Sequence, residues 1–219
     1  YRVPVVLLMD EVLAHMRENI DWPEPGDIEV IDAKRPADAK TYKPFANGEF
    51  LPFGQGARYH ITGLAHGAEG FAVSDEAAAR ELKRMVGKVQ DHVRDLALHD
   101  RYLLDDAELA IISYGITSRP AQSAVDLLRA QGIRAGLLSL KTLWPFPDFL
   151  IDEVAERVDT IVVPELNMGQ LVREIGRAAN GRSQVIPVSR IDGHLLTPAQ
   201  IADAAVAPFA TSAGKVVRS

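Results

Sequence analysis

Residues 109–140, LAIISYGITSRPAQSAVDLLRAQGIRAGLLSL, decide the fold. Leu109-Ala110-Ile111-Ile112 is apolar at successive positions, so both faces of this strand must be covered, as in a parallel sheet. Ser118 then opens a segment in which Ala121, Ala124, Val125 and Leu128 recur at helical spacing and form one buried stripe. Gly132 stands where a helix ends in a left-handed residue. Ala135-Gly136-Leu137-Leu138-Ser139-Leu140 is a second apolar strand. Strand, helix and strand in that order predict a βαβ unit.

The alternation continues. Residues 149–158 read as a helix and Thr160-Ile161-Val162-Val163-Pro164 as a third strand. Asn167 is placed to cap a helix with Met168, Leu171, Val172 and Ile175 on one face and Gln170 as capping-box partner. Val185-Ile186-Pro187-Val188 is a fourth strand, and Thr197-Pro198 starts a last helix. The expectation is a parallel α/β domain over residues 101–219, with fraying past Pro208. Upstream, residues 74–98 predict one long helix: Ser74 is its N-cap, and Leu82, Met85, Val86, Val89, Val93 and Leu96 form its buried face. Residues 20–73 are broken by Pro23, Pro25, Gly26, Pro36, Pro44, Pro52, Gly54 and Gly56, leaving only Ile28-Glu29-Val30-Ile31 and Tyr59-His60-Ile61-Thr62 as short strands. At the start, Val3-Pro4-Val5-Val6-Leu7-Leu8-Met9 reads as a buried strand, followed by a helix at Asp10-Glu11. Such a strand needs neighbours that this sequence does not offer. The expectation is therefore the rear portion of a larger subunit, with residues 1–100 closing one domain and linking to the next.

Composition narrows the function. The 219 residues carry 24 Lys and Arg against 30 Asp and Glu, a net charge of −6, which disfavours nucleic acid and an acidic electron carrier as direct partners. No apolar run is long enough for a membrane span, and no secretory signal opens the chain. Cysteine is absent, so no disulfide forms and no thiolate can hold an iron–sulfur cluster, which fits a cytoplasmic setting. The six histidines show no zinc-type spacing.

Ligands of open α/β sheets bind at the carboxyl ends of the strands. Four loops follow from that. Tyr114-Gly115 turning into a helix could cradle an anion, but it lacks the glycine spacing of a nucleotide site, and a tight turn is the simpler reading. Leu143-Trp144-Pro145-Phe146-Pro147 is a rigid aromatic knob that reads as an interface anchor or a local core plug. Glu165, alone before a helix start, reads more simply as a helix-terminus charge than as a general base. Arg190-Ile191-Asp192-Gly193 is the fourth. His66, in a polar loop, and His15, one turn from Asp10-Glu11, lack the partners that catalysis or a metal would require.

Several of these stretches resemble a known family. Residues 4–11 (PVVLLMDE), 59–66 (YHITGLAH), 113–115 (SYG), 137–147 (LLSLKTLWPFP) and 163–170 (VPELNMGQ), with Arg190-Ile191-Asp192-Gly193 and Thr197-Pro198, are similar to the alpha subunit of 2-oxoacid:ferredoxin oxidoreductases, nearest the 2-oxoglutarate type. The resemblance implies the end of a thiamine-diphosphate-type domain followed by a transketolase C-terminal-like domain. It also implies oxidative decarboxylation of a 2-oxoacid with coenzyme A, giving acyl-CoA, carbon dioxide and reduced ferredoxin. Thiamine diphosphate with Mg2+ and the iron–sulfur cluster would be held by the N-terminal portion of the alpha subunit and by a beta subunit, with ferredoxin met through the complex. The family's N-terminal substrate and cofactor motifs are not in this sequence, so no catalytic, cofactor-binding or metal residue is assigned. The chain's expected part is assembly: Trp144, Pro145, Phe146, Glu165, Asn167 and Gln170 would contact a neighbouring subunit or domain. The competing expectation is a free-standing, non-catalytic interaction module of the same fold.

Overall fold

In a computed structural model, described for residues 1, 3–32, 34–43, 49–59, 62–65 and 75–213, the chain divides into two units. One comprises Tyr1 and Arg17–Asp91, the other Arg2–Met16 and His92–Ser219.

The first unit is mostly irregular. Around buried Leu51, the Tyr59 ring meets Tyr42 edge-on at 5.4 Å and stacks on Phe53 at 5.2 Å, and its hydroxyl donates to the Leu51 carbonyl at 2.9 Å. Ile28, Val30 and Ile31 are exposed and form no strand, because none of the described residues pairs with them. His60, Ile61, His66 and Ser74 lie outside the described residues.

The second unit builds the sheet. Helix α1 (Glu11–His15) is followed by α2 (Asp75–Gln90, in the first unit), α3 (Val93–Leu96), β1 (His99–Tyr102) and β2 (Leu109–Tyr114). Then come α4 (Ser118–Ala130), β3 (Ala135–Leu140), α5 (Asp148–Ala155), β4 (Thr160–Glu165), α6 (Leu171–Ala179), β5 (Gln184–Ser189) and α7 (Pro198–Ala213). The strand order is β1-β3-β2-β4-β5. The four expected strands are parallel, and β1 adds an antiparallel edge through His99 opposite Leu140 and Tyr102 opposite Leu137.

Side chains alternate between the two faces of the sheet. Ala110, Ile112, Ile161 and Val163 pack with Leu150, Ile151 and Val154 of α5 and with Leu171 and Ile175 of α6. Leu109, Ile111 and Val162 pack with Ala121, Val125 and Leu128 of α4 and with Ile201 and Ala205 of α7. Most of these side chains are fully shielded, each contributing about 1.5–3 kcal/mol from the larger ones. Leu103 turns from β1 towards β2 with φ +49°, and Arg129 of α4 donates to its carbonyl at 2.8 Å and to that of Ala135 at 2.8 Å. The Leu103 carbonyl lies against Gly136 of β3, where a Cβ would stand 2.6 Å from it.

Three further sequence expectations are corrected. Residues 3–9 form no strand, and Val5, Val6, Leu7, Leu8 and Met9 are exposed, since a strand exists only where a neighbour completes its ladder. The long helix breaks at Asp91-His92 into α2 and α3, and of its apolar stripe Val89 is buried while Leu82, Met85 and Val86 are exposed. Helix α6 begins at Leu171, so Asn167 is not its N-cap and Met168 is exposed.

Candidate functional site

The chain passes from β2 to β3 on one side of β2 and returns to β4 on the other, so the order of strands reverses between the carboxyl ends of β2 and β4. This switch point is where open α/β sheets bind ligands. Two loops meet there.

The first follows β2. Gly115 adopts φ +58°, which turns the chain sharply and aims the Ile116 N–H outward to Oδ2 of Asp10 at 2.7 Å. The seat that the sequence offered to an anion is thus filled by a carboxylate of the chain itself. Behind the turn, the Thr117 hydroxyl donates to the Tyr114 carbonyl at 2.7 Å. The hydroxyls of Ser113 and Ser139 both meet that of Ser118, at 3.0 and 2.8 Å, which satisfies the buried Ser113.

The second loop follows β4. Glu165, 1% exposed, ends the strand and turns its carboxylate along the chain to the start of α6. Its Oε1 accepts from the Leu171 N–H at 2.8 Å and its Oε2 from the Val172 N–H at 2.9 Å. Two orphan donors of the helix are thereby satisfied by a charge that the helix dipole favours. The Gln170 side chain does not complete a capping box; the reach of Glu165 takes that place. Asn167 Oδ1 accepts from the N–H groups of Gly169 and Gln170, and its Nδ2 donates to Glu165 and, at 2.8 Å, to the Tyr114 hydroxyl. Burial, and next the Glu165 charge, push the Tyr114 phenol above its ordinary pKa, while the Asn167 bond opposes them. Sequence reasoning missed this bridge between the two loops.

The network is closed. Glu165 spends both oxygens on neighbours, and Tyr114 is held by Asn167, so the cluster has the chemistry of a joint rather than of an acid–base pair. Among the described residues no group of three or more His, Cys, Asp or Glu is placed to hold a metal ion. The donor set does not fit a Mg2+-bound diphosphate, and without cysteine it does not fit an iron–sulfur cluster.

Around this joint stand exposed apolar side chains. Trp144 after β3, Met168 after β4 and Ile191 after β5 are 71%, 79% and 68% exposed. The Trp144 ring is carried by a cis peptide to Pro145, and Pro145 and Pro147 are buried. Phe146 is half-buried against the core, with the Arg177 guanidinium 5.7 Å from its ring centre. Arg177 is held in turn by Asp148 at 2.5 Å and Glu174 at 2.9 Å. After β5, Arg190 pairs with Asp192 at 2.7 Å, and this, with the His194 N–H, holds the Asp192 carboxyl well below the usual carboxylate range. Of the six residues expected at an interface, Trp144 and Gln170 are exposed, Phe146 and Asn167 partly so, and Pro145 and Glu165 are buried supports.

Residues 107–201 match the family described as pyruvate:ferredoxin oxidoreductase core domain II. The 2-oxoglutarate synthase subunit KorA of Methanothermobacter marburgensis is 37% identical over 216 aligned positions, covering 92% of this chain and 55% of that protein. The ketoisovalerate oxidoreductase subunit VorB of the same organism is 33% identical over 202 positions, covering 90% and 50%. A solved 2-oxoglutarate:ferredoxin oxidoreductase from Magnetococcus marinus, with 2-oxoglutarate, coenzyme A and succinyl-CoA bound, superposes with a TM-score of 0.67 at 24% identity, over 84% of this chain and 33% of that one. That likeness is one of fold. The chain spans about half the length of the curated relatives it matches.

Proposed function

We propose that this chain, whose residues 107–201 match pyruvate:ferredoxin oxidoreductase core domain II, serves in an alpha-type subunit of a 2-oxoacid:ferredoxin oxidoreductase, as its assembly and scaffolding portion. The observation that carries the reading is the 37% identity to a 2-oxoglutarate synthase subunit, which runs over 92% of the chain and so extends well beyond the sheet domain. The overall reaction is oxidative decarboxylation of a 2-oxoacid with coenzyme A to acyl-CoA and carbon dioxide, with electrons passed to ferredoxin. The 2-oxoglutarate-type relative is more similar than the ketoisovalerate-type one, which favours 2-oxoglutarate as substrate.

Thiamine diphosphate with its Mg2+ and the iron–sulfur cluster belong, on this reading, to the remainder of the alpha subunit and to the beta subunit. The chain's own part follows from its geometry. The closed Tyr114, Asn167 and Glu165 joint fixes the loops after β2 and β4. The exposed Trp144 and Gln170 then meet the neighbouring polypeptide over rigid supports at Pro145, Phe146, Glu165 and Asn167. The open tract at residues 3–9 and the open stripe of α2 at Leu82, Met85 and Val86 support the same reading, since apolar surface of this extent marks contact sites.

The test is to tag the chain in its native host and purify it under mild, anaerobic conditions. The expected complex contains a second, cysteine-bearing subunit and reduces a viologen dye only when 2-oxoglutarate, coenzyme A and thiamine diphosphate are all supplied. A chain that purifies as the sole polypeptide, without dye reduction by any 2-oxoacid, would overturn the assignment in favour of a free-standing interaction module.

A further inference from the structure

Asp10 stands at the N-cap position of α1, yet its side chain makes no cap bond there. Its Oδ2 is committed instead to the Ile116 N–H at 2.7 Å, across 106 positions of sequence. The receiving turn is shaped to admit it. Gly115 needs φ +58°, and a Cβ on that residue would overlap Asp10 Oδ2, so glycine supplies both the turn and the room. Ile116 and Thr117 are buried beneath it, which makes the seat firm. The Asp10 charge also reaches the Tyr114 phenol and adds to its upward shift, after burial and the Glu165 charge.

Asp10 directly follows the apolar tract of residues 3–9. Val5, Val6, Leu7 and Leu8 are 89%, 78%, 83% and 72% exposed, so the tract has little packing of its own to hold it. We propose that Asp10 is a latch: its carboxylate pins the C-terminal end of this tract to the turn at Gly115 and Ile116 and carries the tract in one orientation beside the switch point of the sheet. Asp10 is a positioning residue that acts through the Ile116 amide. The inference concerns contacts within this chain and stands apart from the oxidoreductase reading.

The absence of native cysteine permits a clean test on the full 219-residue chain. Spin labels at Val6→Cys and Ser123→Cys, the latter on exposed α4 surface, report the distance between the tract and the sheet domain by pulsed electron resonance. Amide exchange reports the Ile116 bond. The unmodified latch gives a narrow distance distribution and a protected Ile116 amide. Asp10→Asn keeps an oxygen that accepts the same N–H and preserves both. Asp10→Ala broadens the distribution and speeds Ile116 exchange by about tenfold or more, while the Ile111 and Val162 amides stay protected because the sheet is intact. Gly115→Ala, which fills the seat, broadens the distribution as well; because it also strains the turn, Asp10→Ala is the deciding variant. An Asp10→Ala chain with unchanged distances and unchanged Ile116 exchange overturns the proposal. So does an Asp10→Asn chain as loose as Asp10→Ala.

Discussion

Replacing Glu165 by glutamine probes the joint between β4 and α6 directly. The native carboxylate is shielded from water and accepts from Leu171, Val172 and Asn167. Glutamine keeps the shape and one oxygen, but its NH2 must then face a donor. Whichever way the amide is turned, a backbone N–H in the first turn of α6 loses its acceptor. A bond to a charged acceptor is worth about 1.5–3 kcal/mol, and a buried donor left unsatisfied costs about 1–3 kcal/mol. These describe the same loss from two sides, so Glu165→Gln should destabilise the domain by about 2–3 kcal/mol. Glu165→Ala frees both N–H groups and leaves a void as well, for about 3–5 kcal/mol. Urea denaturation followed by far-ultraviolet circular dichroism reads both. With a slope of about 2 kcal/mol per molar urea, the glutamine variant should lower the midpoint by roughly 1 M. A glutamine variant within about 0.2 M of the parent would refute the view that this carboxylate holds the helix start.

Gly136→Ala should cost about 1–3 kcal/mol in the same assay, because the added methyl meets the Leu103 carbonyl and the Leu104 Cα at 2.6 and 2.7 Å, both of them backbone; an unchanged midpoint would contradict that close approach. Hydrogen bonds from Arg101, at 2.9 and 2.7 Å, hold the Glu153 carboxyl below its ordinary value of 4.5. The stability this pair contributes is fully present above pH 4.5 and is lost as the pH falls through the lower folded value, so Arg101→Met should flatten the acid limb of a stability–pH curve while leaving its shape above neutrality intact. Trp144→Ala, at an exposed position, should change stability by no more than about 0.5 kcal/mol yet weaken association with the proposed partner subunit on size-exclusion chromatography, whereas Phe146→Ala should lower stability itself. Equal retention of the complex by the Trp144 variant would remove that residue from the proposed interface.

Strands β2, β3 and β4 were legible because a strand covered on both faces leaves an unbroken apolar run, as at Leu109-Ala110-Ile111-Ile112 and Ile161-Val162-Val163, and β5, a half-exposed edge, was legible from Val185-Ile186-Pro187-Val188. Strand β1 was not, since His99-Asp100-Arg101-Tyr102 carries no such run and is held by its ladder to β3 and by the Arg101 clamp. The start of α6 was misplaced because its acceptor comes from Glu165 at the strand end, a reach that no local capping pattern encodes. Periodicity in α2 showed an apolar stripe but not what covers it. The Tyr114 to Asn167 and Asp10 to Ile116 bonds join residues 53 and 106 positions apart, beyond any local pattern. Glu165 itself was legible as a helix-terminus charge, since a lone carboxylate before a helix start has few other partners.

The two borders of the sheet have a consequence for assembly. A bare strand border invites another chain to continue the ladder. On one side β1, short and bearing His99, Asp100 and Arg101, shields the flank of β3 with charged, solvated side chains. On the other, β5 carries Pro187, which has no N–H to offer. Neither flank is a good template for strand addition, so oligomers of this domain should grow through loop ends and helix faces, and a cross-linker placed on β1 or β5 should join few subunits.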